Sequence, residues 1–134
     1  MINAKQRTLK VVIVDDSPLI VVRLEQMLDG LERIKLLGHA SNIGSGFALI
    51  RDTVPDVVIL DIYLEEDAPE ANGLTLLAVL TKEFADIQVI MLTNLFDQQY
   101  KSKCMKTGAK YFLDKSNEFE KIPEILIDII ETLK

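Results

Sequence analysis

Five polar side chains stand just beyond short aliphatic runs. Asp15 and Asp16 follow LKVVIV (9–14), Asp61 follows DVVIL (56–60), Thr93 follows IQVIML (87–92), and Lys115 follows KYFL (110–113) and Asp114. Singly, each has a plain structural explanation: aspartates and threonines after strands cap the next helix, and a lysine there is usually a solvated charge. As a set they offer three carboxylates, a hydroxyl and an ammonium. Two carboxylates about 4 Å apart repel by about 4 kcal/mol at an effective dielectric near 20. Three in one cleft must raise their pKa values or recruit a cation. Hard oxygen ligands that leave room for water suit Mg²⁺, with Mn²⁺ as a substitute, better than zinc or copper. With a lysine and a threonine nearby, such a site has the parts to handle a phosphoryl group. The cations neutralise its oxygens, the hydroxyl donates a hydrogen bond, and one carboxylate attacks phosphorus.

That chemistry requires the five groups to meet, and the pattern of elements supplies the reason. Aliphatic runs alternate with segments of helical period. Ser17-Pro18 reads as an N-cap followed by proline in the first helical turn, and Leu24, Met27, Leu28 and Leu31 recur at helical spacing up to and past Gly30. IKLLGHA (34–40) is a second strand, followed by helices over 45–53, 74–84 and 97–107, the last ending at Gly108. A final helix carries Ile122, Ile125, Leu126, Ile129, Ile130 and Leu133 on one stripe, with Pro123 tolerated in its first turn. Strict β/α alternation with near-continuous Val/Ile/Leu strands predicts a parallel sheet covered on both faces. Right-handed crossovers put helices on both sides, and the chain is far short of the roughly 250 residues of a closed eight-stranded barrel. An open, doubly wound, five-stranded sheet in a three-layer α/β/α arrangement follows. Ligands bind such sheets beyond the carboxyl ends of the strands, which is where the five polar residues fall.

At 134 residues the chain reads as one domain, 1–134. A formal charge of −6 speaks against direct contact with nucleic acid or an anionic membrane surface. No apolar run approaches a membrane span, MINAKQRTLK lacks a secretory apolar region, and a single cysteine forms no internal disulfide, so the expected compartment is the cytoplasm. Cys104, in a helical segment with Tyr100, reads as core, and the lone His39 as a surface or edge residue.

The order, spacing and strand context of Asp15-Asp16, Asp61, Thr93 and Lys115 resemble the receiver domain of bacterial two-component response regulators over essentially the whole chain. The resemblance implies a flavodoxin-like sheet of order 2-1-3-4-5 and a single-domain signalling phosphoacceptor that catalyses only its own phosphorylation and dephosphorylation. By the same resemblance, Asp61 is the phosphoacceptor, Asp16 binds Mg²⁺ directly, Asp15 acts largely through water, and Tyr63 lends its backbone carbonyl. Thr93 and Lys115 contact the phosphoryl group, and Phe112, three before the lysine, is the aromatic switch that turns inward on phosphorylation. Implied partners are a histidine kinase or histidine phosphotransfer protein, a downstream protein target, and a second copy of the chain through the face of helix four, strand five and helix five. Ile127, off the main stripe of the last helix, is a candidate contact there.

Three positions depart from the family's commonest pattern. Ser116 follows Lys115 where proline is usual, which leaves the isomer of that peptide bond open. The loop after Asp61, with Glu65, Glu66, Asp67 and Glu70, is lengthened before Gly73, and its acids are expected to face solvent. Asn94 follows Thr93 where a smaller residue is usual; with Tyr63 it is expected to crowd the attacking water and slow phosphate loss. Competing readings are a pseudo-receiver that only docks, a Mg²⁺-dependent phosphohydrolase with an aspartyl phosphate, and a flavodoxin-like cofactor carrier. The second lacks its Asp-x-Asp after strand one and the third its Gly/Ser/Thr-rich phosphate loop. The chain stops one residue after Leu133; as a complete product it would act by docking rather than through its own output domain.

Overall fold

The computed structural model describes residues 7–64, 72–94 and 97–133. Its elements alternate as expected: β1 (Leu9–Val14), α1 (Pro18–Asp29), β2 (Ile34–Ala40), α2 (Ile43–Thr53), β3 (Val57–Leu60), α3 (Asn72–Glu83), β4 (Gln88–Thr93), α4 (Gln98–Thr107), β5 (Tyr111–Asp114) and α5 (Ile122–Thr132). A 3₁₀ turn, Phe119–Lys121, leads into α5. The strands form one parallel sheet in the order β2-β1-β3-β4-β5.

Each central strand divides its aliphatics between two cores by the alternation of side chains across a pleated strand. Val11, Ile13, Val57, Ile59, Ile90 and Leu92 join the stripes of α1 and α5 on one face. Val12, Val14, Val58, Leu60, Val89 and Met91 join α2, α3 and α4 residues on the other. This explains the unbroken apolar strands: both faces are inside. Each fully buried Val, Leu or Ile contributes roughly 1.5–3 kcal/mol, so the central strands are a rigid base for whatever follows them.

Local chemistry sets the helix starts. The Ser17 hydroxyl accepts from the Ile20 N–H at 3.3 Å, opening α1 directly behind Asp16. The second helix begins at Ile43, two residues before the expected start, because the Asn42 side chain accepts from the Ser45 N–H at 2.9 Å and caps it there. Leu31 lies beyond the end of α1 yet still packs against the first core. Gly108 closes α4 at φ 129°, a region that excludes side chains, with Thr81 filling the space a Cβ would need. Cys104 is fully buried, and burial pushes its thiol up to about 11. His39 is exposed.

Gly73 in the first turn of α3 matters most for the site. Its N–H donates to the Ile62 carbonyl at 2.7 Å, and a Cβ there would overlap the carbonyl oxygen of Asp61. The helix thus rests directly on the backbone that carries Asp61. Glu65, Glu66, Asp67 and Glu70 lie outside the described residues.

Candidate functional site

Parallel pairing brings the C-terminal ends of β1, β3, β4 and β5 to one rim. The backbone continues the ladder beyond the strands: the Asp61 N–H donates to the Val14 carbonyl and the Lys115 N–H to the Thr93 carbonyl, each at 3.0 Å. Asp61 is thereby held beside Asp15, and Lys115 beside Thr93, before any side chain is considered. Asp15, Asp61, Thr93 and Lys115 are the buried polar or charged residues among those described, at 3%, 6%, 0% and 7% exposure.

The lysine resolves the crowding of acids. Its Nζ lies 2.8 Å from Asp15 Oδ2 and 2.9 Å from Asp61 Oδ2, bridging the two carboxylates. Asp15 Oδ1 accepts from the Ser17 N–H at 2.8 Å, so both oxygens of that carboxylate are engaged. Asp61 Oδ1 is met by the Tyr63 N–H at 3.4 Å. Burial pushes the Asp15 carboxyl above its ordinary value, although the adjacent ammonium pulls the other way. Burial also works against a charged Lys115, but Asp61 and Asp15 outweigh it together and hold the ammonium's pKa above that of a free lysine. A lysine so held stays charged at neutral pH.

Asp16 completes the cluster, half-buried, and one oxygen each from Asp15, Asp16 and Asp61 falls within 4.8 Å of the others. The donor set is all oxygen, anionic and clustered, which fits a small hard divalent cation. Thr93 ends β4 fully buried, next to Asp114 of β5 in the register. The Tyr63 side chain is 38% exposed. Phe112 lies inward, 6% exposed, in the core beneath α3 and α4. No cis peptide occurs among the described residues, so the Lys115–Ser116 bond is trans.

Sequence reasoning did not anticipate the cleft in front of the lysine. It encloses about 520 Å³ between the start of α1 and the loop after β5, lined in part by Arg23, Asn94, Ser116 and Asn117. Arg23 is fixed there by its guanidinium stacking 4.3 Å above the Phe119 ring. The signal was present only as separated residues; nothing in their spacing marked them as neighbours.

The family model for the response regulator receiver domain matches residues 11–127. The chain belongs to that family. Receiver domains are signal-transduction modules of two-component systems, and the relatives are regulators rather than metabolic enzymes. The transcriptional regulatory protein MalR of Bacillus subtilis is 29% identical over 120 residues, covering 90% of this chain and 49% of the relative. The response regulator GacA of Pseudomonas aeruginosa is 26% identical over 118 residues, covering 88% and 53%. This receiver domain therefore spans about half the length of those relatives. Among solved structures, the isolated receiver domain of RcsB from Salmonella enterica serovar Typhimurium, determined with the phosphomimetic BeF₃⁻, superposes with a TM-score of 0.84. It covers 96% of this chain and 92% of that one at 19% identity, a likeness of fold. No helix among the described residues is long and apolar enough to cross a membrane.

Proposed function

We propose that this single receiver unit is a cytoplasmic phosphoacceptor, taking a phosphoryl group onto Asp61 from a phosphohistidine of a partner kinase or phosphotransfer protein. The observation that carries the reading is the Lys115 ammonium bridging Asp15 and Asp61 inside a three-carboxylate cluster. A carboxylate oxygen of Asp61 attacks phosphorus, the P–N bond breaks, and its electron pair stays on the departing imidazole. Lys115 can turn its charge from the carboxylates to the incoming phosphoryl oxygens, and the Thr93 hydroxyl donates to another. Asp16, Asp61 and the Tyr63 carbonyl would hold Mg²⁺ or Mn²⁺, with Asp15, whose oxygens are already engaged, contributing indirectly. When bound, that cation supplies further charge neutralisation at the phosphoryl oxygens.

Phe112 already holds the inward position, so phosphorylation would stabilise that position and the face of α4, β5 and α5 around it. Charge on that face suits a second copy. Lys101, Lys103, Lys106 and Lys110 fall with no acid among them between 98 and 110, whereas α5 carries Glu124 and Asp128 near exposed Ile127. A downstream protein target would use the same face.

Acetyl phosphate as donor tests the reading. Intact mass should show a gain of one phosphate with Mg²⁺ and none with chelator. No gain under either condition would reduce the protein to a docking module. Asn94 lines the cleft in front of Lys115, and Tyr63 lies two residues beyond Asp61 with its side chain exposed, so in the same assay the label should decay faster in Asn94→Ala and Tyr63→Asn. Unchanged decay would remove them as shields.

A further inference from the structure

The loop that carries Lys115 is tied to itself by more side chains than its length requires. The Asp114 carboxylate accepts from the Ser116 N–H at 3.0 Å through Oδ1 and from the Asn117 side-chain amide at 2.7 Å through Oδ2. Glu118 answers from the other side: its Oε1 accepts from the Asp114 N–H at 3.0 Å, and its Oε2 pairs with Lys121 Nζ at 2.9 Å. Backbone bonds reinforce both, from the Glu118 N–H to the Asp114 carbonyl at 2.8 Å and from the Lys121 N–H to the Glu118 carbonyl at 3.0 Å. Residues 114 to 118 thus close a ring of hydrogen bonds with Lys115 inside it.

We infer that Asp114, Asn117 and Glu118 form a clasp whose role is to position Lys115, fixing the backbone on both sides of the lysine so that its ammonium spans Asp15 and Asp61. None of the three touches the reacting atoms. They are positioning residues, and the inference deepens the phosphoacceptor reading on which its kinetic consequence rests. The Asp114 N–H first, and then Lys121, hold the Glu118 carboxyl below its ordinary value, so it is fully ionised and a strong acceptor at neutral pH. A lysine on a four-carbon stem has many rotamers. Two short ion pairs from one ammonium demand that the stem start from a fixed point, and the clasp supplies it.

The test uses Glu118→Ala and Asn117→Ala, with Glu118→Gln as the conservative variant and Glu120→Gln as a neighbouring loss of charge outside the clasp. Nitrogen-15 NMR of the lysine side chains, with the Lys115 signal assigned by its absence in Lys115→Met, reads the ammonium directly. In the native protein it should be sheltered from exchange. In Glu118→Ala and Asn117→Ala it should shift and exchange faster, in Glu118→Gln partly recover, and in Glu120→Gln stay native. Phosphate uptake from acetyl phosphate should fall roughly tenfold in the alanine variants, because a misplacement of about 1 Å can cost up to a hundredfold, while Mg²⁺ affinity holds. A native Lys115 signal in both alanine variants would overturn the inference. A perturbed signal with no phosphate uptake even by the native protein would leave the clasp standing and overturn the phosphoacceptor reading instead.

Discussion

The two ends of β3 carry the same residue and put it to different uses. At the N-terminal end, the Asp56 carboxylate accepts from the Lys10 N–H at 2.8 Å. Its backbone N–H donates to the Lys10 carbonyl, and its carbonyl accepts from the Gln88 N–H. Asp56 stitches β1, β3 and β4 together where they begin. Asp61, at the other end, makes the matching backbone bond to Val14, but its side chain meets an ammonium and two further carboxylates. The backbone role is shared; the company differs. A carboxylate facing a neutral N–H is satisfied and has no further chemistry to offer. A carboxylate crowded by others is stable only while a cation is present, and a site that depends on cations can exchange one arrangement of charge for another.

Breaking the charged end should have the largest effect. In Lys115→Met, Asp15 and Asp61 lose their counter-charge, and removing one partner of a buried pair typically costs about 3–5 kcal/mol. In the native protein the folded pKa of Lys115 lies above its ordinary 10.5. Its contribution is therefore complete below that pH and is lost only as pH climbs through the folded value. Burial raises Asp15 above its ordinary 3.8, and the Lys115 ammonium holds that rise in check. Without the ammonium the carboxyl rises further, so the folded variant takes up a proton at higher pH than the folded native protein, and the deficit of Lys115→Met should shrink as pH falls. Denaturant melts of both proteins at pH 7 and pH 5 would show it; a deficit that does not depend on pH would contradict the account.

Gly73→Ala strikes the same end through the backbone. Its Cβ would collide with backbone atoms of Asp61 and Ile62, which cannot rotate away. A loss of about 3 kcal/mol, at the upper end of overpacking costs, is expected in the same melts, and a neutral result would show that α3 does not rest on the Asp61 segment. The smallest effect belongs to the structural end. Asp56→Ala removes one hydrogen bond and should cost about 1 kcal/mol.

Much of this was legible in the sequence. Aliphatic runs and helical stripes fixed the alternation, and the rule that parallel strands deliver their C-terminal ends to one rim was enough to gather Asp15, Asp16, Asp61, Thr93 and Lys115. What escaped notice depended on tertiary detail. Asp56 looked like part of its strand because its partner, Lys10, is 46 residues away. Asp114, Asn117 and Glu118 carried no signal of their own in the sequence, since only the turn itself aims their side chains at the backbone and side chains flanking the lysine. Val54 sits at φ 43°, a conformation no valine favours, imposed where the chain leaves α2 for β3. Phe112 could be named from its place three before the lysine, but which way its ring points is decided by packing.

The central claim is that the two ends of β3 differ in kind, with phosphoryl chemistry confined to Asp61. Intact mass after acetyl phosphate and Mg²⁺, run side by side on native protein, Asp61→Asn and Asp56→Ala, measures this directly. The account predicts one added phosphate in the native protein and in Asp56→Ala, and none in Asp61→Asn. Native uptake in Asp61→Asn, or its loss in a folded Asp56→Ala, would contradict it.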